Sequence, residues 1–153
     1  ELFFKTVQNK MHYAVTGKTA AELISERASH AKHNMGLTSF PGMHPIKRDI
    51  YIAKNYLNEK ELGLLNRIVD AYLSFAEIQA QSEKAMKMAD WTRKLDEYLL
   101  LMGKGVLRHP GSVSAIDAET KAEVEFISYK REQDKNYVSD FDREVKKLLR
   151  ARS

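Results

Sequence analysis

The stretch from residue 58 to residue 84, NEKELGLLNRIVDAYLSFAEIQAQSEK, constrains the fold more than any other part of the chain. Its apolar side chains recur at steps of three and four residues, at Leu62, Leu65, Val69, Tyr72 and Ala76. That spacing places them on one face of an α-helix. Asn58 and Glu61 have the spacing of a capping box, in which each side chain accepts a backbone N–H near the helix start. The stretch therefore predicts a long helix over 59–84, about 25 residues in length.

The same spacing recurs in most of the remaining chain. It predicts helices over residues 3–15, 20–28, 88–102 and 112–135, and a last helix that begins at a cap formed by Ser139 and Asp142. Residues 49–56 fit either a short helix or a strand, and we favour a helix. No alternating pattern of useful length predicts a strand. We therefore expect an all-α protein: one compact domain over 1–153, with six or seven helices and the long helix 59–84 at its centre.

The net charge of +4 lies in a single segment at the end of the chain. Residues 143–153 carry five basic side chains against one acidic side chain, so the rest of the chain is neutral overall. The overall charge therefore does not support nucleic-acid binding by the whole chain. Any case for such binding depends on the last helix alone. The candidate contacts are Lys146, Lys147, Arg150 and Arg152. A solvated helix end is the plainer interpretation of the same residues.

Other composition features exclude whole classes of protein. The chain has no cysteine, which rules out disulfides, thiolate nucleophiles and cysteine-ligated metal sites. Its longest apolar run is far shorter than the roughly 20 residues that a membrane-spanning helix needs. Because the sequence opens on Glu1 without a leader-like segment, we expect a piece of a longer cytoplasmic protein.

The motif Gly17-Lys18-Thr19 matches the end of a nucleotide-binding P-loop, but the rest of that motif is missing. A P-loop needs a glycine five residues before Gly17, where this chain has His12. A capping box accounts for the motif better, with the Thr19 hydroxyl accepting a first-turn N–H and Glu22 reaching back to the Thr19 amide. Gly17 would then end the preceding helix in a left-handed conformation.

Two further motifs suggest chemistry that the sequence does not complete. Glu26, His30 and His33 have a spacing that puts them on one helical face, but a metal site needs three or four converging ligands with supporting contacts, so we predict no metal site. His109-Pro110 matches the start of the signature of Fic-type nucleotidyl transferases, and the acidic, amide and arginine residues that must follow are absent. We predict no catalytic residue and no cofactor.

The loop HNMGLTSFPGMHPIKRD, residues 33–49, is the most distinctive connection and is longer than most. Its apolar residues Met35, Leu37, Phe40 and Ile46 predict that it is ordered against the body of the domain. It is either a packed surface loop or part of a ligand- or partner-binding site. The candidate residues for that site are Glu22, Glu26, Arg27, Asn34, Lys54, Asn55 and Tyr56.

The order of several long motifs resembles the C-terminal half of the virulence protein RhuM family, from residue 1 to about residue 135. The motifs are FFKTVQNKMHYAVTGKTAAELISERA, NMGLTSF, IAKNYLNEKELGLLNRIVDAYLSFAE, MADWTRKLDEYL and GSVSAIDAETKAEVEFISYK. The resemblance implies a protein in which a DNA-binding-like N-terminal region precedes this part, and it transfers no catalytic residue.

Three hypotheses for function stand at this point. The first is an accessory helical domain of a bacterial, virulence-associated and DNA-associated protein, which mediates oligomerisation or partner binding with helix 59–84 as its packing spine. The second is an enzyme that acts on nucleic acid or nucleotide at the 33–49 loop, which we favour less. The third is DNA binding by the basic last helix.

Overall fold

A computed structural model describes residues 2–152, without the side chains at positions 138 and 139. Within that range the chain forms five α-helices and three short 3₁₀ turns, and no strand. The helices are α1 (Leu2–Thr16), α2 (Ala20–Arg27), α3 (Glu59–Gln81), α4 (Met88–Leu101) and α5 (Ala115–Arg152). The 3₁₀ turns are His33–Gly36, Lys47–Tyr51 and Ala53–Tyr56. The predicted all-α class is confirmed.

The prediction of six or seven helices with 59–84 as the long central one was wrong in two respects. The helices predicted over 112–135 and from Ser139 onward are one continuous helix, α5, which is 38 residues long and longer than the 23-residue α3. The physical reason is that no glycine or proline lies between residues 115 and 152 to end it. The predicted cap at Ser139 falls on a side chain outside those described, and the backbone there is helical. Residues 49–56 form 3₁₀ turns.

The ends of the helices follow the local sequence signals closely. Asn58 and Glu61 form the predicted capping box at the start of α3. Gly17 and Gly103 adopt the left-handed conformation, with φ of 76° and 70°, directly after α1 and α4. The Thr19 hydroxyl accepts the Glu22 N–H at the start of α2. The Glu22 carboxylate, however, accepts the N–H of Ser112 rather than that of Thr19, so it connects α2 to the segment before α5.

The core lies around α2 rather than around α3. The short α2 buries Leu23 and Ile24, and it packs against α5 and the last 3₁₀ turn, while α1 packs against α3 and α4. In α5, Ala118 and Ala122 are buried, and their small side chains allow a close approach of the packed elements. Between α3 and α4, Tyr72 donates its hydroxyl to the Trp91 carbonyl, with 2.6 Å between the oxygens. No described helix is both long enough and apolar enough to cross a bilayer.

Candidate functional site

The 33–49 loop is ordered against the body by part of its apolar set. Met35 and Leu37 are buried, whereas Ile46 is exposed, so the predicted ordering holds for only some of the four residues. The backbone enters the left-handed region at Asn34, Met35 and Gly36, with φ of 49°, 62° and 85°. This unusual backbone turns the Met35 side chain into the core directly after an exposed segment.

Arg27, one of the candidate site residues, connects α2 to the start of α3. Its two terminal nitrogens contact the two carboxylate oxygens of Glu61 at 2.7 and 2.8 Å, and one of them also donates to the Tyr56 carbonyl at 3.0 Å. The hydrogen bond from Arg27 lowers the pKa of Glu61 and raises that of Arg27. Since this fork-to-fork pair uses both ends of the guanidinium, Arg27 has a structural contact that holds the loop's frame in place.

Asn55 and Tyr56 also have internal contacts. The Asn55 side-chain amide donates to the Asp49 carbonyl at 3.0 Å, and the Tyr56 hydroxyl donates to the Ile50 carbonyl at 2.7 Å. Both residues are buried, and burial raises the pKa of the Tyr56 phenol. Their polar atoms therefore satisfy the backbone of the 3₁₀ turns.

The other candidates of this set are spread along the surface. Glu26 is exposed and forms an ion pair with Lys18, and Lys54 is also exposed. The Asn34 amide lies 3.2 Å from the His33 ring nitrogen Nε2. Glu22 contacts Ser112, so the contacts described do not bring these residues together at a single polar centre.

His30 lies beyond the end of α2, so Glu26, His30 and His33 do not share the helical face that their spacing suggested, and His30 contacts α5 instead. The backbone N–H of His30 donates to Glu125 Oε2 at 2.9 Å, and the ring Nδ1 contacts the same oxygen. The hydrogen bond with Glu125 raises the pKa of His30, and the two bonds from His30 lower that of Glu125. Among residues 2–152 with described side chains, no group of three or more His, Asp or Glu side chains is arranged to hold a metal ion.

The last part of α5 extends away from the rest of the domain. Every residue from 134 to 152 whose side chain is described is exposed. At 1.5 Å per residue this projecting part is about 28 Å long. It nevertheless carries large apolar side chains on one face, here called the α5 stripe: Tyr137, Phe141, Val145, Leu148 and Leu149, which are 74, 61, 37, 64 and 63% exposed.

The basic residues of α5 lie mainly on the opposite face. At 100° per residue, Arg143, Lys146, Lys147 and Arg150 are centred roughly 180° from the α5 stripe. Arg152, in contrast, falls in line with the stripe, so the predicted nucleic-acid set does not share one face. Arg143 and Lys147 form ion pairs with Asp140 and Glu144, at 3.5 and 3.3 Å.

The sequence contains a signal for this arrangement that the prediction did not use. Apolar residues at 138, 141, 145 and 148 recur at steps of three and four, and the same line continues upstream through the exposed Ile127 and Val124. The prediction assigned Phe141, Val145 and Leu148 to a separate last helix that begins at Ser139. Because the apolar residues keep the same helical spacing across the expected boundary between two helices, they indicate instead one continuous helix with an uncovered apolar face.

Comparison with known proteins gives one result. The model of the virulence protein RhuM family matches residues 1–138, which cover the whole folded body and the beginning of the projecting part of α5. No curated protein and no solved structure gives a significant match. The extent of the family match agrees with the resemblance drawn from the motifs. The chain belongs to the virulence protein RhuM family.

Proposed function

We propose that this chain is an assembly domain that binds a second copy of itself through the α5 stripe. The observation that carries the proposal is the projection of α5, whose apolar face is left uncovered by the described part of the chain. In proteins most of a helix's stability comes from packing of its apolar face rather than from the intrinsic propensity of its residues. Packing of the α5 stripe against a partner would stabilise the projecting part of α5.

The spacing of the stripe fits a second copy because it is the spacing of a coiled-coil seam. Steps of three and four residues over 138–148 give the a and d positions of a heptad, which pack against the same positions of another helix. Upstream, the seam passes through the exposed Arg131 and Asp134. A parallel pair in register would place each residue opposite its own copy, so the Arg131 layer would lie one step along the seam from the Asp134 layer and the opposite charges of the two layers would offset each other.

The exposed stripe is large enough for a weak to moderate association. Burying one large apolar side chain contributes about 1.5–3 kcal/mol, and these side chains are about two-thirds exposed, so we take about 1–2 kcal/mol for each. Phe141, Leu148 and Leu149 from two copies then contribute about 6–12 kcal/mol, against an association cost of at least about 4 kcal/mol. The net gain is at most about 8 kcal/mol, which corresponds to a dissociation constant of about 1 μM or weaker.

Sedimentation velocity over a concentration series tests this proposal. The wild-type chain should shift from monomer to dimer as concentration rises. The double substitution Phe141→Ala with Leu148→Ala should keep it monomeric, since four large side chains leave the interface and the dissociation constant rises by about a thousandfold or more. A matched control is Asp140→Ala with Lys146→Ala, which alters the same helix away from the stripe, keeps the net charge and should still dimerise.

A monomer at every concentration would overturn self-association. Retained dimerisation of the double stripe variant would overturn the assignment of the interface to α5. Circular dichroism at low concentration checks that the variants keep the folded body.

A second candidate function is contact with a nucleic-acid backbone, and the position of the basic side chains favours it. Lys146 and Lys147 lie away from the stripe, so they would stay exposed in a pair of chains. Binding to a mixed-sequence duplex, measured by fluorescence anisotropy, should weaken steeply with salt. It should also weaken for Lys146→Gln with Lys147→Gln, which leaves the stripe intact.

The enzyme hypothesis at the 33–49 loop has less support, because Arg27, Asn55 and Tyr56 are engaged in internal hydrogen bonds.

A further inference from the structure

A second feature, separate from the α5 stripe and from the 33–49 loop, is an open cleft of about 780 Å³. It lies between α1, the start of α2, and the segment over 107–115 that leads into α5. The segment contains the His109-Pro110 pair that the sequence singled out. This volume is in the range that accommodates a small organic ligand.

The charges along the cleft favour an anion. Lys5 and Arg108 line it, both are exposed, and neither forms an ion pair within residues 2–152. Lys10 also lines it, but its charge is used, since its Nζ lies 2.9 Å from Asp96 Oδ1 and donates to the Leu107 carbonyl. Glu119 is the acidic residue of the lining. Two unpaired cations against one carboxylate leave the cleft with a net positive charge.

The backbone adds donors to these cations. Both α2 and α5 begin at the cleft, through Ala20 and Ala21 on one side and Ser114 and Ala115 on the other. The Ala20 N–H donates to Asn9 Oδ1, while the first-turn N–H groups of Ala21 and Ala115 have no intrahelical acceptor. The positive ends of the two helix dipoles therefore lie at the cleft, where they add to the positive charge of Lys5 and Arg108.

The walls of the cleft are mostly apolar. The larger apolar side chains are Leu2, Ile24, Leu107, Pro110 and Val113. A bare inorganic ion would leave these walls in contact with water, whereas a ligand with an apolar or aromatic body would cover them. The imidazole of His109, held edge-on against Tyr13 at a centroid distance of 6.2 Å, lies at the same rim.

We propose that this cleft binds a small organic phosphate, with the phosphate near Lys5 and Arg108 and the body against the apolar walls. The proposal is independent of self-association. The cleft lies on the folded body, and neither the stripe nor the loop residues discussed above contribute to it.

The test uses adenosine monophosphate, adenosine and inorganic phosphate as probes, titrated into the full ¹⁵N-labelled chain and followed by amide chemical shifts. The nucleotide should give saturable shifts at the starts of α2 and α5. Adenosine and phosphate should each bind at least about tenfold more weakly, since each lacks one part of the interaction. No saturable shift with the nucleotide would overturn the proposal. Shifts located elsewhere on the chain would overturn it as well.

Two variants and a control separate the cleft from general charge effects. Lys5→Ala with Arg108→Ala should weaken nucleotide binding at least about tenfold. Ala21→Leu, which keeps the charge and fills the cleft, should weaken it too. The control, Lys60→Ala with Arg67→Ala, removes two exposed charges from α3 and should leave binding unchanged. Equal losses in the control and the cleft variant would overturn the proposal, and unperturbed amide spectra outside the cleft confirm that each variant is folded.

Discussion

Gly36 and Gly63 provide a pair of identical substitutions with opposite expected effects on stability. Gly36 lies at the end of the first 3₁₀ turn with φ of +85°, and a Cβ atom built there would lie 2.2 Å from the carbonyl oxygen of Arg27. Gly63 lies inside α3, and its Cβ would meet no atom within 4 Å. Alanine at position 36 must therefore displace backbone at the end of α2, while alanine at position 63 enters open space.

The expected magnitudes follow from these two environments. At Gly36, the left-handed backbone alone costs an L-residue about 1–2 kcal/mol. A contact of 2.2 Å with a backbone atom adds the cost of a local shift, and we expect a total loss of about 3 kcal/mol or more. At Gly63, alanine removes the helix penalty of glycine and should raise the free energy of unfolding by about 0.5–1 kcal/mol.

Urea unfolding of Gly36→Ala and Gly63→Ala, followed by circular dichroism at 222 nm, measures both effects. The two midpoints should move in opposite directions from the wild-type midpoint, with similar dependence on urea concentration. A Gly36→Ala variant within about 1 kcal/mol of wild type would refute the description of the loop's path past Arg27, since the clash would then not exist. A destabilised Gly63→Ala variant would refute the assignment of position 63 to an open helix face.

Three other changes have defined outcomes. Thr19→Ala removes a buried cap hydroxyl and should lower the free energy of unfolding by about 1–2 kcal/mol in the same urea assay. Burial lowers the pKa of His12 from 6.5 to about 4, so the unfolded state binds the proton more readily and stability should fall as the pH drops from 6.5 towards 4. Between pH 7 and pH 4.5 this contribution is about 2–3 kcal/mol, and a His12→Gln variant should lack it when unfolding curves are compared at the two values. Arg27→Met leaves the Glu61 carboxylate without its cation and should cost about 2–4 kcal/mol, which thermal unfolding would detect and which Glu61→Gln in the same background should partly restore.

The starts and ends of the helices were predictable from sequence because they depend on neighbouring residues. Asn58 with Glu61, Thr19, Gly17 and Gly103 perform the roles that their sequence contexts indicate. These signals are local, since a cap or a left-handed glycine acts within a few residues. These local signals were enough to predict the all-α class and most of the helix bounds.

The layout of the core depended on contacts that are distant in sequence and that no local pattern encodes. The Glu22 carboxylate meets Ser112, and the His30 ring meets Glu125, across separations of 90 and 95 residues. A capping box for Glu22 is a reasonable local interpretation that tertiary packing replaced, and no local pattern indicates the contact between His30 and Glu125. The cleft was not predicted for the same reason. Lys5 and Arg108 line one cleft only after α1 and the 107–115 segment have folded together.

The central claim is that the α5 stripe of one copy packs on that of another. The absence of native cysteine allows a single nitroxide label at Lys147→Cys, on the side of α5 away from the stripe. Helix axes in such a pair lie about 8–10 Å apart, so double electron–electron resonance should give one label-to-label distance below about 40 Å. That signal should disappear when Phe141→Ala and Leu148→Ala are added. A wild-type sample without dipolar modulation at concentrations well above micromolar, or with a signal that survives both substitutions, would contradict the claim.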